Sequence, residues 1–68
     1  MSVTIRLNGD AVTLAPGATV ADVVARLVGG GRGTAVARNG EVVPKSRWGC
    51  TDLAPGDALE VLTAAQGG

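Results

Sequence analysis

The chain has 68 residues, 46% of them hydrophobic, and its six basic and six acidic side chains cancel to zero net charge. That length holds one domain with one small core, near the size at which burial alone gives marginal stability, and leaves no room for a built-in active-site cleft. Cys50 is the only cysteine and histidine is absent, which excludes an internal disulfide and the usual zinc, haem or Cys-His sites and fits a reducing cytoplasm. The basic residues Arg6, Arg26, Arg32, Arg38, Lys45 and Arg47 are scattered along the chain, which speaks against nucleic acid or an anionic membrane as a partner.

The first segment, "MSVTIRL", alternates between apolar and polar at once, without a basic leader or a long apolar run. No other segment is long enough to span a bilayer, so the expectation is a soluble protein that is not exported. Val3, Ile5 and Leu7 at period two, then Asn8-Gly9, then Val12 and Leu14 predict a β-hairpin with a tight turn. Pro16-Gly17 breaks the pattern. Thr19 then precedes Val20, Val23, Val24, Leu27 and Val28, a stripe of helical period, with Asp22 in the capping-box position. One amphipathic helix is expected from Val20 to Val28. Gly29, Gly30 and Gly31 supply its stop and a loop. The stretch "GGGRG" looks like a phosphate cradle, but a phosphate loop follows a strand and opens a helix, whereas this one closes a helix and meets the wrong end of its dipole.

A second Asn-Gly pair, Asn39-Gly40 in "TAVARNGEVVP", predicts another hairpin with Val36 and Val43 on one side. "KSRWGCTDL" has no clear period and reads as an irregular crossover. Trp48, the one aromatic residue, is expected to plug an end of the core, and Cys50 to be a small, part-buried apolar side chain with no histidine to activate it. Pro55-Gly56-Asp57 makes the last turn and "ALEVLT" the last strand. Period two in that strand sends Leu59 and Val61 toward the helix and leaves Ala58, Glu60 and Leu62 on the open face, with Ala37 beside the inward Val36 falling on the same face. The order is ββαββ with a closing strand, an α+β domain over residues 1–63 in which a mixed sheet packs on one main helix, followed by a tail over residues 64–68.

This order resembles the β-grasp fold of ubiquitin, which alone would not reveal a function. The tail is more telling. Ala64, Ala65, Gln66, Gly67 and Gly68 carry no aromatic or β-branched side chain to anchor them. Glycine gains least from packing and loses most backbone entropy on ordering, so a Gly-Gly ending serves something outside the fold. Five extended residues reach about 15 Å, enough to bring a C-terminal carboxylate into another protein's narrow cleft. At average glycine usage about one chain in 200 would end this way by chance. With no catalytic constellation in the body, the expectation is a carrier rather than an enzyme, with the Gly68 carboxylate as its working group. A carboxylate of pKa about 3.5 is ionised at neutral pH and resists nucleophiles. It must therefore be activated by adenylation, after which sulfur can displace AMP and leave a thiocarboxylate on Gly68. In that scheme ATP is used by the activating enzyme and the carrier binds no cofactor or metal itself.

Particular residues carry a closer resemblance. The Asn8-Gly9 turn, "PGATVADVVARL" at the helix, "ARNGEVVPKSRW" across the second hairpin, "LAPGDALEV" and the final Gly67-Gly68 together resemble the ThiS family, the sulfur carriers of thiamine biosynthesis. The segment from Asn39 to Trp48 is the most specific part, since other β-grasp carriers share the Gly-Gly ending but generally not this stretch. The resemblance implies adenylation by a ubiquitin-activating-type adenylyltransferase, sulfur loading from a persulfide donor, and delivery to the thiazole synthase. It makes Gly68 the sulfur-carrying residue and assigns tail recognition to Gly67 and Gln66. The family often has a branched apolar residue and a further glycine where this chain has Ala65 and Gln66, so contacts there are expected to differ. Ubiquitin-like proteins present an apolar patch on the open sheet face to their activating enzymes, which makes Leu62, Glu60 and Ala37 the expected partner surface. The alternatives are a carrier feeding molybdopterin or cysteine synthesis, a ubiquitin-like modifier conjugated through Gly68, and a scaffold domain whose ending is accidental.

Overall fold

The computed structural model describes residues 1–28 and 33–63. Strands β1 (Val3–Leu7) and β2 (Asp10–Leu14) pair antiparallel, with Val3 opposite Leu14 and Ile5 opposite Val12. Their connection has positive φ at both central residues, 51° at Asn8 and 90° at Gly9. That is the requirement of a type I′ turn, and asparagine followed by glycine meets it at least steric cost.

Helix α1 (Val20–Val23) starts on the expected capping box. The Asp22 N–H donates to the Thr19 hydroxyl at 3.3 Å, and the Thr19 N–H donates to the Asp22 carboxylate at 2.9 Å. Two backbone donors at the helix start are thereby satisfied. Beyond one α turn the backbone widens into a π-helical segment over Val24–Val28, so the expected single α-helix is α only at its start. Four of its nine residues are valine, whose β-branched side chains crowd the preceding turn and weaken regular helix. The apolar stripe shows where the segment faces but not its winding. The expected glycine stop at Gly29, Gly30 and Gly31 lies outside the described residues.

Strands β3 (Thr34–Arg38) and β4 (Glu41–Val43) form the second hairpin, with Val36 opposite Val43 and φ of 51° and 85° at Asn39 and Gly40. The segment expected to be an irregular crossover is instead a 3-10 helix over Lys45–Cys50. Two turns of a three-residue helix are too short to leave a readable apolar period. Trp48 is buried there, and its indole N–H donates to the Val43 carbonyl at 2.9 Å. Cys50 is exposed, which corrects the part-buried expectation. It follows Trp48 by two-thirds of a 3-10 turn, so the rotation that buries the indole turns the thiol outward.

Strand β5 (Ala58–Thr63) enters the middle of the sheet, giving the order β2-β1-β5-β3-β4. It runs parallel to β1, with Leu7 opposite Leu59, and antiparallel to β3, with Val36 opposite Val61. This is the mixed β-grasp arrangement. Ile5, Val36, Leu59 and Val61 from the sheet meet Val20, Val23 and Val24 from the helical side, with Trp48 and Leu53 closing the core.

Asp57, just before β5, is the one buried charged residue among those described. Its carboxylate accepts from the Ala54 N–H at 2.9 Å, from Arg38 Nε at 2.9 Å and from Asn39 Nδ2 at 3.1 Å. Its backbone oxygen accepts from the Arg6 N–H at 2.9 Å. Burial pushes the Asp57 pKa up, but the hydrogen bonds from Ala54, Arg38 and Asn39, with the Arg38 charge, outweigh that and hold it below 3.8. A depressed folded-state pKa stabilises the fold above the unfolded value, and that contribution is lost as pH falls through the folded value. Urea unfolding across acid pH should therefore show stability dropping as the pH is lowered past 3.8. Asp57→Asn should be less stable than wild type at neutral pH and should fall less steeply over the acid window.

Candidate functional site

The alternation of β5 divides its residues as expected. Leu59 and Val61 are buried, while Ala58, Glu60 and Leu62 are exposed on the face away from the helix, Leu62 at 71%. Register then decides their neighbours. Ala37 lies opposite Glu60, so it belongs to the same face, where it is half-buried. The three residues expected to form a partner surface are thus brought together. Pairing adds two that the sequence reading did not single out. Ala35 lies opposite Leu62, and Val42, 77% exposed, lies opposite Ala37. The sequence pattern sets Val43 on one side with Val36, and the pairing of Val43 with Val36 bears this out and turns Val42 to the open face.

The face is an apolar strip of Leu62, Ala35, Ala37 and Val42 with one carboxylate, that of Glu60. It adjoins the end of the last strand, since Leu62 precedes Thr63, where β5 stops. Gln66, Gly67 and Gly68 lie outside the described residues, as does the expected 64–68 tail. Among the described residues no cluster of histidine, cysteine, aspartate or glutamate is arranged to hold a metal ion. A groove of about 290 Å³ runs between β2 and the helical segment, lined by Val12, Leu14, Pro16, Asp22, Val23 and Arg26. Its one carboxylate, that of Asp22, is engaged in the helix cap, so the groove brings no nucleophile beside a free base. What the described residues offer is a surface for contact next to a strand end.

Fold and sheet face together define a protein of the ubiquitin-like β-grasp class. The ThiS family model matches residues 5–68, and the chain belongs to the ThiS family. Among solved structures it is similar to the crystal structure of the thiamine biosynthesis protein ThiS from Geobacter metallireducens, at 29% identity and a TM-score of 0.81, covering 97% of this chain and 100% of that one. No curated protein matches the chain. No helix among the described residues is long and apolar enough to cross a membrane.

The two faces of β5 should respond oppositely to substitution. Leu59→Ala empties a site that is 1% exposed and should cost about 2–4 kcal/mol in chemical denaturation. Leu62→Asp should leave stability within about 0.5 kcal/mol of wild type. Equal losses from the two would mean that the open face is not open in solution.

Proposed function

We propose that this protein is the sulfur carrier of a thiamine pathway, loaded and unloaded at the carboxylate of Gly68. The observation that carries this reading is the family match over residues 5–68, which runs through the β-grasp body to the Gly67-Gly68 ending. The Gly68 carboxylate attacks the α-phosphorus of ATP in a ubiquitin-activating-type adenylyltransferase, and pyrophosphate leaves. Sulfur from a persulfide donor then attacks the acyl carbon and displaces AMP. Cleavage of the donor's S–S bond by a thiol frees the carrier as a thiocarboxylate, the nucleophile delivered to the thiazole synthase. The carrier is not itself an enzyme in this scheme, and ATP is the activating enzyme's substrate. A cytoplasmic setting fits a chemistry that runs on reduced sulfur.

The residues divide the work by position. Gly67 and Gln66 are read by the enzyme's cleft, which admits backbone where it meets glycine. Leu62, Glu60 and Ala37 dock the body, so Leu62→Asp should weaken adenylation while the fold stays intact. Cys50, exposed and in a chain without histidine to activate it, has no part in loading. Intact mass after incubation with the adenylyltransferase, ATP and a persulfide donor tests the whole reading. A thiocarboxylate on wild type and on Cys50→Ser is the expected result. A protein conjugate would mark a modifier instead, and an unchanged mass would overturn the carrier reading. Transfer from the loaded protein to thiazole synthase then separates thiamine from molybdopterin or cysteine synthesis.

Gly67→Val isolates the tail. Residue 67 lies beyond the last strand, so the change should move stability by at most a few tenths of a kcal/mol. In the cleft a β-branched side chain clashes with walls shaped for backbone and displaces the carboxylate from the phosphorus. Misplacement by about 1 Å at a reacting centre costs roughly a hundredfold in rate. Pyrophosphate exchange should fall by that order, and equal exchange by the two proteins would return the Gly-Gly ending to accident.

A further inference from the structure

Strand β1 ends too early to support all of β5. Its last residue, Leu7, lies opposite Leu59, and the chain then turns away at Asn8-Gly9. The Asn8 N–H still reaches the Leu59 carbonyl at 2.9 Å. The next residue on β5 whose backbone polar groups face that edge is Val61, with no β1 backbone opposite it. Both of its groups are taken by the Asn8 side chain. Nδ2 donates to the Val61 oxygen at 3.2 Å, and Oδ1 accepts from the Val61 N–H at 2.9 Å. A carboxamide has the donor and acceptor of a peptide group, so Asn8 continues the parallel ladder by one step after the backbone has left it.

We propose that Asn8 is a positioning residue for the Gly68 carboxylate: by gripping Val61 it holds Val61 to Thr63 in register, so that the strand end is presented to the adenylation site from one fixed place. This rests on the carrier reading above. On the other side this part of β5 is held by β3 alone, through the Ala35–Leu62 and Thr34–Thr63 pairings. Released from Asn8, the strand end frays, and fewer molecules present the tail from the competent origin. Loss of a competent fraction weakens apparent affinity without altering chemistry once bound. Asn39 provides the internal comparison. It sits at the same position of the other turn, and its Oδ1 accepts from the Ala58 N–H at 2.9 Å. It therefore grips the start of β5, away from the tail.

The test compares Asn8→Gly with Asn39→Gly, since glycine keeps the positive-φ turns and removes the grips, at Asn39 together with the bond to the Asp57 carboxylate. Amide hydrogen exchange should accelerate roughly tenfold at Val61 in Asn8→Gly, as expected for losing a bonded pair at a strand end, with Ile5 and Val36 unchanged. In pyrophosphate exchange its KM should rise roughly tenfold at constant kcat. Asn39→Gly should lower stability while leaving KM at the wild-type value. Asn8→Asp keeps the turn but replaces the donor with a charged oxygen facing the Val61 carbonyl, whose repulsion opens the grip, so it should shift both readouts in the same direction and serves if Asn8→Gly does not fold. The proposal is overturned if Val61 exchange does not rise, if it rises with KM unchanged, or if Asn39→Gly raises KM equally. A wild-type protein that the enzyme does not adenylate would overturn the carrier reading, while the exchange contrast still decides whether Asn8 holds the strand end.

Discussion

Everything in this fold depends on the insertion of β5 between β1 and β3. A strand in the middle of a sheet must satisfy backbone groups on both edges, and here the neighbours run in opposite senses, with β1 parallel and β3 antiparallel. The backbone cannot do this alone, because both hairpins turn away beside it. Asn8 takes over at Val61, Asn39 at Ala58, and Asp57 at the entrance ties Ala54, Arg38, Asn39 and Arg6 to one residue. Each net hydrogen bond contributes only about 1 kcal/mol, whereas each buried group left unpaired costs about 1–3 kcal/mol. The clamps are best understood as preventing that cost rather than adding a surplus.

The core explains why such clamps carry weight. Apart from Trp48 it is built of valine, leucine and isoleucine. A domain this small buries too little surface for packing alone to give a wide margin. Thr51 and Ala18 close the far side with two backbone bonds, the Val20 N–H to the Thr51 oxygen at 3.0 Å and the Leu53 N–H to the Ala18 oxygen at 3.0 Å. The helix start and the approach to β5 are thereby fastened together, and the short helical segment needs little propensity of its own.

Local chemistry made much of this legible in the sequence. Asn8-Gly9 and Asn39-Gly40 announce their turns because few residues tolerate positive φ, and Thr19 with Asp22 announces a helix start because both partners lie within one turn. Alternation in "ALEVLT" gave the inward and outward faces correctly. The readings that missed depended on winding or on distant partners. Apolar spacing does not distinguish an α from a π segment at Val24–Val28, nor a 3-10 helix from a loop at Lys45–Cys50, and so the exposure of Cys50 was misjudged. The asparagines were read as turn formers, and nothing local shows that their side chains also grip a strand about 20 to 50 residues away. Arg38 reads in the sequence as one of the scattered basic residues and Asp57 as part of the last turn, and only the topology brings them within 2.9 Å. The family was legible in the segment from Asn39 to Trp48, where turn, edge strand and the core-plugging tryptophan follow in one run.

One strand serves both the core and the open face. Its inward residues Leu59 and Val61 belong to the core, its outward residues Glu60 and Leu62 to the open face, and its end leads to residues 64–68. Period-two geometry lets these roles coexist, because a change on one face need not disturb the other. The same geometry makes Val61 the point where they meet: its side chain is buried, its backbone is held by Asn8, and only two residues separate it from the end of the strand. A strand in which core, open face and strand end meet at one residue gains from a polar clamp there. Under the carrier role proposed above, that clamp gives the Gly67-Gly68 ending a fixed origin at Val61.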